Sequence, residues 1–514
     1  MSNRRAGRRS PWGFGWASKW GCPMHRIRAI PILTSAVVWA LAATPALAGV
    51  YTVAPVTLVS GPSPFAGCTV GGPGTVYVNS EVEPWVAVNP VNPVNVIAVY
   101  QQDRWSNGGA HGLVTAVSHN GGGTWNLTFA HFSTCSGGTA ANGGDFDRAS
   151  DPWVTFSPNG SAYQISLSAS ADLLTSAILV SKSIDGGDTW SEPTTLIRET
   201  TAFHFNDKES ITADPHDANY VYAVWDRSRK PGENASFNAL HSYAFRGDIM
   251  FSRTADGGLT WSAPRDILAS NKNEFTIGNQ IVVLPNGDLV DVFERLKGSG
   301  VQPSPNQFTE AVIISHDKGM TWSNPIDIAL DRSVAVIDPE TGIALRTGAG
   351  LPDIAVDSDT GALYVVWSDS RFSGGARDDV ALSRSTDSGH TWSAPVKVNQ
   401  TPVPVPAFTP SVDVASDGTV GVTYYDFRNN DTSAGLPTDY WFVHSHDGGI
   451  TWSGESRLSP VSFDMEIAPI ARGYFLGDYE GLTSIGSSFV PSFIMANSGD
   501  VTNRTDAWVT RVSP

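Results

Sequence analysis

Ser183-Ile-Asp-Gly-Gly-Asp-Thr-Trp190 and Ser445-His-Asp-Gly-Gly-Ile-Thr-Trp452 are copies of one eight-residue phrase. It recurs as Ser118-His-Asn-Gly-Gly-Gly-Thr-Trp125, Thr254-Ala-Asp-Gly-Gly-Leu-Thr-Trp261, Ser315-His-Asp-Lys-Gly-Met-Thr-Trp322 and Ser385-Thr-Asp-Ser-Gly-His-Thr-Trp392. The shared pattern is [ST]-x-[DN]-x-G-x-T-W, and its chemistry is that of a hairpin turn. The Asp or Asn side chain accepts backbone N–H bonds inside the turn. The glycine takes a positive φ that other residues resist, and the tryptophan supplies a large apolar body that tucks under the turn. Successive copies start 65, 71, 61, 70 and 60 residues apart, so the phrase punctuates a long structural repeat.

Around each turn the period reads as four strands. An alternating stretch such as Asp248-Ile-Met-Phe-Ser precedes the turn, and a short segment opened by Ser-x-Pro follows it, as in Trp392-Ser-Ala-Pro. Two more strands lie upstream across a Gly-containing turn, for example Ile281-Val-Val-Leu and Asp288-Leu-Val-Asp-Val-Phe. Four strands per period describe a propeller blade. Residues 49–514 number 466, which suits seven blades better than six at the observed spacing. The tail holds three strands without a turn phrase, around Glu480–Ser484, Phe489–Met495 and Ala507–Arg511. Tyr51-Thr-Val-Ala-Pro-Val-Thr-Leu-Val, which reads like a post-turn strand, is expected to supply the fourth and remove an exposed edge. The expectation is an all-β chain forming a seven-bladed propeller, with a six-bladed ring as the alternative.

The phrase resembles the Asp-box (bacterial neuraminidase) repeat of the sialidase/neuraminidase superfamily, over most of residues 83–452. The resemblance implies a β-propeller whose boxes join the third and fourth strands of each blade. Asp185, Trp190, Asp256, Trp261, Asp317, Trp322, Asp387, Trp392, Asp447 and Trp452 are then structural. It also implies a glycosidase of exposed glycans, with exo-α-sialidase the nearest family activity. The Phe/Tyr-Arg-Ile-Pro motif that opens such enzymes is absent from the mature chain, since Arg28-Ala-Ile-Pro31 lies in the leader described next.

Lys and Arg number 33 against 50 Asp and Glu, a net charge of −17, which argues against nucleic-acid binding. Arg26 and Arg28, the apolar run Ile32–Ala43 and Ala46-Leu47-Ala48 describe a secretory signal peptide over residues 1–48, with Met24 placed where such a leader would start. The mature chain, 49–514, is expected to be a single secreted or periplasmic domain without a membrane span, and a monomer. The leader holds seven basic and no acidic residues, leaving 26 basic against 50 acidic, or −24. Cys22 departs with it, so Cys68 and Cys135 remain to pair in an oxidising compartment, a bridge worth about 4 kcal/mol in the chain-entropy picture.

Propeller geometry puts the turn phrases on one face and the two-to-three and blade-to-blade loops on the other. The second set is long, 132–150, 227–247, 295–310, 331–350, 426–438 and 459–478, and binding sites gather on long loops of rigid scaffolds. An acid–arginine pair recurs at the ends of second strands: Asp103-Arg104, Asp226-Arg227, Glu294-Arg295, Asp369-Ser-Arg371 and Asp426-Phe-Arg428. It reads either as a repeated inter-blade salt bridge or, for Arg227, Arg371 and Arg428, as clustered arginines gripping an anionic sugar. Residues that break the repeat are the sharper candidates. Arg148 and Asp151 open blade two, Asp207-Lys208-Glu209 blade three, Arg346 precedes blade five, and Arg472, Asp478, Tyr479 and Glu480 open blade seven. Asp151, Glu209, Asp478 and Tyr479 are the candidate catalytic residues, and Arg148 and Arg346 the candidate substrate arginines, for acid/base or tyrosine-assisted glycoside cleavage. No cofactor is called for and no metal ligand set is diagnosed, although Asp145 and Asp147 offer oxygens of the kind Ca²⁺ takes. The rival readings are a non-catalytic propeller binding a glycan or protein, and a polysaccharide lyase.

Overall fold

The computed structural model describes residues 51–230, 246–270, 274–297, 308–431 and 433–514, all within one unit spanning Ala48–Pro514. The leader lies outside them. Six consecutive antiparallel groups of four strands follow in chain order. Blade one is Val76–Val88, Val96–Trp105, Ala110–Ser118 and Asn126–Thr128; blade two is Arg148–Phe156, Ala162–Ala169, Ser176–Ser183 and Thr194–Glu199. Blade three is His204–Ala213, Val221–Arg229, Arg246–Thr254 and Arg265–Leu268; blade four is Glu274–Val283, Leu289–Lys297, Phe308–Ser315 and Ile326–Leu330. Blade five is Asp353–Val356, Leu363–Asp369, Asp379–Ser385 and Val396–Lys397; blade six is Ala407–Val414, Val420–Asp426, Pro437–Ser445 and Ser456–Arg457. A seventh group, Gly481–Ile485, Ser488–Ala496 and Thr505–Val509, receives Thr57–Leu58 from the amino-terminal end as its fourth strand. The first strands touch in cyclic order, and blade seven meets blade one. The chain is an all-β propeller.

Each repeated turn joins a third to a fourth strand, and its hydrogen bonds explain its residues. In blade two, Ser183 Oγ donates to Asp185 Oδ1 (2.7 Å) and accepts from the Gly187 N–H (2.9 Å). The Asp185 carboxylate in turn accepts from the Thr189 N–H (3.0 Å) and its hydroxyl (2.5 Å). The same bonds recur around Asp256, Asp317, Asp387 and Asp447. The turn also reaches outward. Its carbonyls accept side-chain donors from the preceding blade: Asn95 on Gly186 O (3.0 Å), Tyr163 and Lys182 on Gly257 O (2.8 and 2.7 Å), and Arg384 on Gly448 O (3.2 Å). The turns therefore staple neighbouring blades as well as closing their own hairpins. Trp190, Trp261, Trp322, Trp392 and Trp452 are partly buried against the apolar layers between blades.

One departure from regular pairing positions the site. The first strands of blades one, two, three, four and six each carry a bulge near their starts. At those points Glu83 (φ 52°), Asp151 (φ 52°), Lys208 (φ 46°), Gly278 (φ 79°) and Thr409 (φ 50°) adopt the left-handed conformation. A bulge inserts one residue and re-aims its side chain. A non-glycine residue held there costs of order 1–3 kcal/mol and persists only where the surroundings fix it.

Cys68 and Cys135 are bonded, with their Cα atoms 5.5 Å apart. The bridge ties the segment after the closing strand to the loop between blades one and two.

Candidate functional site at the channel mouth

Three of the bulged residues meet. Lys208 Nζ lies 2.6 Å from Asp151 Oδ1 and 3.0 Å from Glu83 Oε1, and 2.9 Å from Asp478 Oδ2 at the start of blade seven. Arg346 completes the group from another direction. The two-residue strand Leu345–Arg346 pairs in parallel with Tyr474–Phe475, which sets the guanidinium 4.3 Å over the Phe475 ring and in a two-point bond with Asp478, Nε to Oδ1 at 2.8 Å. Behind them, Arg104 is almost fully buried, donates to Gln101 Oε1 (2.6 Å) and lies 4.8 Å from the Phe475 centroid. Gln101 donates to Glu83 and to Ser150 Oγ (3.1 Å). Arg472, exposed and at φ 70°, and half-buried Asp207 face solvent beside the group.

Burial and charge split these groups apart. Burial pushes Asp478 up, yet Arg346 and Lys208 outweigh it and hold its carboxyl well below the usual range. Glu83 is raised by burial to about 7, with Asp151 and Asp478 adding to the rise and Lys208 opposing it. Asp207 is raised to about 6 by burial and Asp151, against Lys208, Arg346 and Arg472. Burial pulls Lys208 down, but its three carboxylates win and keep it charged.

Beside this ion network lies a pocket walled by Trp153, Lys208, Glu209, Leu351, Pro410 and Tyr479, with Glu480 also lining it. Glu209 is 3% exposed and neither carboxylate oxygen has a hydrogen-bond partner among the described residues. Burial, then the charge of Asp151, raises it well above the ordinary value. Glu480 is likewise raised by burial, and its Oε1 is unpartnered. The Tyr479 hydroxyl donates to Pro152 O (3.2 Å), its ring lies 5.3 Å from Lys208 Nζ, and Trp85 stacks on Trp153 at 3.4 Å beneath it.

The structure thus gathers Asp151, Glu209, Arg346, Asp478 and Tyr479, and removes the other arginines. Arg148 is buried elsewhere: its guanidinium donates to Asn107 Oδ1 (2.8 Å), Gly108 O (2.6 Å) and Pro73 O (3.0 Å) and lies over Trp105. Its two terminal nitrogens thus tie Pro73, in the segment before blade one, to the Asn107–Gly108 turn of blade one. Arg227 pairs with Glu199 of blade two (2.5 Å). Arg371 pairs with Asp369 (2.6 Å), and Arg428 with Asp426 (2.5 Å) and Glu455. These three are structural ion pairs, inter-blade only for Arg227. Asp145 is engaged by Arg198 (2.7 Å), and Asp147 Oδ2 accepts from the Ala171 N–H (2.7 Å). No cluster of three or more His, Cys, Asp or Glu among the described residues is arranged to hold a metal. Glu83 and the central role of Lys208 went unpredicted. A signal for Glu83 exists: Glu83-Pro-Trp85 repeats as Asp151-Pro-Trp153, at the same bulge of the next blade.

No known protein-family description and no curated protein matches the chain. Among solved structures it is similar to an alpha-L-arabinanase of Penicillium chrysogenum complexed with arabinobiose, at 13% identity and TM-score 0.45, covering 89% of this chain and 98% of that one. It is also similar to an alpha-L-arabinofuranosidase of Fusarium graminearum (14%, TM-score 0.44, 69% and 91%). A mutant NanB sialidase from Streptococcus pneumoniae matches at 10% identity and TM-score 0.44, over 89% and 98%.

Proposed function

We propose that this chain is an exported glycoside hydrolase that cleaves exposed glycans in the pocket at the channel mouth. The observation that carries the reading is a pair of unlike carboxyls, Glu209 in the pocket wall and Asp151 in the ion network beside it. Glu209 lines the pocket, burial raises its carboxyl well above the ordinary range, and neither of its oxygens is hydrogen-bonded among the described residues. Asp151, whose charge helps to raise it, is ion-paired to Lys208. An acid beside an ion-paired carboxylate is what glycosidic cleavage requires: one protonates the departing oxygen, the other stabilises the positive charge left on the sugar or attacks it. Tyr479 forms the pocket wall, with its hydroxyl engaged by Pro152.

The test is a panel of aryl glycosides, sialosides and arabinofuranosides included, with wild type, Glu209→Gln and Asp151→Asn. Glu209→Gln is expected to lose about 10²–10⁴-fold on substrates with poor leaving groups and to retain turnover of dinitrophenyl glycosides, which need no acid. A folded wild type that turns over no member refutes the reading.

A second reading, a non-catalytic glycan-binding propeller, has its own support. Lys208 and Arg346 lock Asp151 and Asp478 into a closed network, and Glu480 accepts from the Ile494 N–H (3.2 Å), leaving Glu209 as the acid of the pocket with neither oxygen hydrogen-bonded among the described residues. It predicts saturable glycan binding without product. Export rests on the leader at residues 1–48. Among the described residues no helix is long and apolar enough to cross a membrane. Amino-terminal sequencing of secreted protein is expected to begin at Gly49.

A further inference from the structure

Arg346 reaches the site on the loop 331–350, and both ends of that loop rest on one carboxyl. Glu294, in the second strand of blade four, lies beside Asp331 at the loop's start, close enough for a carboxyl–carboxylate hydrogen bond. At the loop's end, a Cβ on Gly350 (φ 85°) would fall 2.8 Å from Glu294 Oε1. Directly across the ladder from Glu294 sits Glu310, fully buried, with neither oxygen partnered among the described residues. Like charges facing each other across strands repel, and in a buried site the repulsion is screened little.

Few cations answer this group. Asp369, Asp378 and Asp379 face it from blade five, and Asp226 from blade three. Arg371 also faces it but is bonded to Asp369 (2.6 Å) and to Leu330 O. Arg377 and Lys397 pair with Asp379. The rest of the loop's base depends on the same acids: Asp331 accepts from the Ser333 N–H (2.7 Å) and Asp378 from the Val334 N–H (2.9 Å).

We propose that Glu294, Glu310 and Asp331 form a proton latch on loop 331–350. With protons bound, they hold both loop ends against blade four; when the protons leave, their mutual repulsion frees the loop and withdraws Arg346 from Asp478. Burial supports the direction. It raises Glu294 and Glu310 well above ordinary carboxyls, Asp331 to about 6 and Asp378 to about 8. Acids raised in the folded state bind protons that the unfolded chain releases, so their hold is present at low pH and is lost as pH rises through the folded values.

The latch is independent of what the pocket binds, and its test needs no substrate. Amide hydrogen exchange over 333–347, corrected for intrinsic rates, is measured at about pH 6 and about pH 9. Wild-type protection is expected to fall about tenfold or more at the higher pH, against little change in blade-one peptides, each tenfold answering to about 1.4 kcal/mol. Glu310→Gln is expected to abolish most of that fall, and Glu294→Gln serves if the first variant folds poorly. Equal wild-type protection at both pH values overturns the proposal, as does a fall of undiminished size in a folded variant. Restoration of high-pH protection by calcium chloride also overturns it, because the acids would then be a cation site.

Discussion

Lys208→Met removes the one ammonium that three carboxylates share, keeping the length and most of the bulk of the side chain. In wild type the Nζ lies within 3.0 Å of Glu83, Asp151 and Asp478, and the lysine is 9% exposed. Removing one member of a buried ion pair costs about 3–5 kcal/mol, because a charge is left buried without a partner. Asp478 keeps Arg346. Glu83, already raised to about 7 by burial, loses the lysine charge that opposes the rise, so in the variant it keeps its proton to higher pH. The sign follows. The variant's folded state holds an extra proton that its unfolded state releases above pH 4, so its stability falls as pH rises. The difference from wild type therefore widens by up to about 1.4 kcal/mol per pH unit for that carboxyl. Urea unfolding followed by tryptophan fluorescence at about pH 5 and about pH 8 measures it, through the midpoint displacement at unchanged slope. A loss equal at the two pH values, or smaller at pH 8, refutes the central place given to Lys208.

Tyr479→Phe deletes a bond to Pro152 O while keeping the ring under Lys208. It is expected to cost about 1 kcal/mol of stability and to leave turnover within tenfold; a loss beyond a thousandfold assigns the hydroxyl a direct chemical role. Ser315→Ala removes both the bond to Asp317 (2.9 Å) and the acceptor for the Gly319 N–H (2.8 Å). About 1–3 kcal/mol should be lost with hydrolysis or glycan binding unchanged, and a variant as stable as wild type discounts the turn's internal bonding.

The propeller was legible because its signal is local. Eight residues carry the whole hydrogen-bond plan of a turn, as Ser183, Asp185, Gly187 and Thr189 show, and the plan repeats at blade spacing. The site was half legible. Of the residues that break the repeat, Glu209, Asp478 and Tyr479 converge because they sit in or next to first strands, and Arg346 joins them from the short strand Leu345–Arg346. Glu83 was hidden by its bulge, which re-aims one side chain out of a strand that otherwise alternates. Arg148 was misread for the opposite reason. What buries its guanidinium is the Pro73 carbonyl and the Asn107–Gly108 turn, partners far off in sequence that no motif announces. The acid–arginine pairs illustrate a third case, in which residue type was recognised and role was decided only by neighbours such as Glu199 and Glu455.

Blade seven waits for both ends of the polypeptide. Thr57–Leu58 is made early and has no partner until Trp508 and Val509 exist, so the circle cannot shut while the residues between them are still being synthesised. Its closure spans some 450 residues, yet the entropic penalty of joining distant points grows only logarithmically with their separation. What such a seam imposes is order in time: six groups of strands can assemble as they emerge, and the seventh is finished only once Thr505–Val509 has been made.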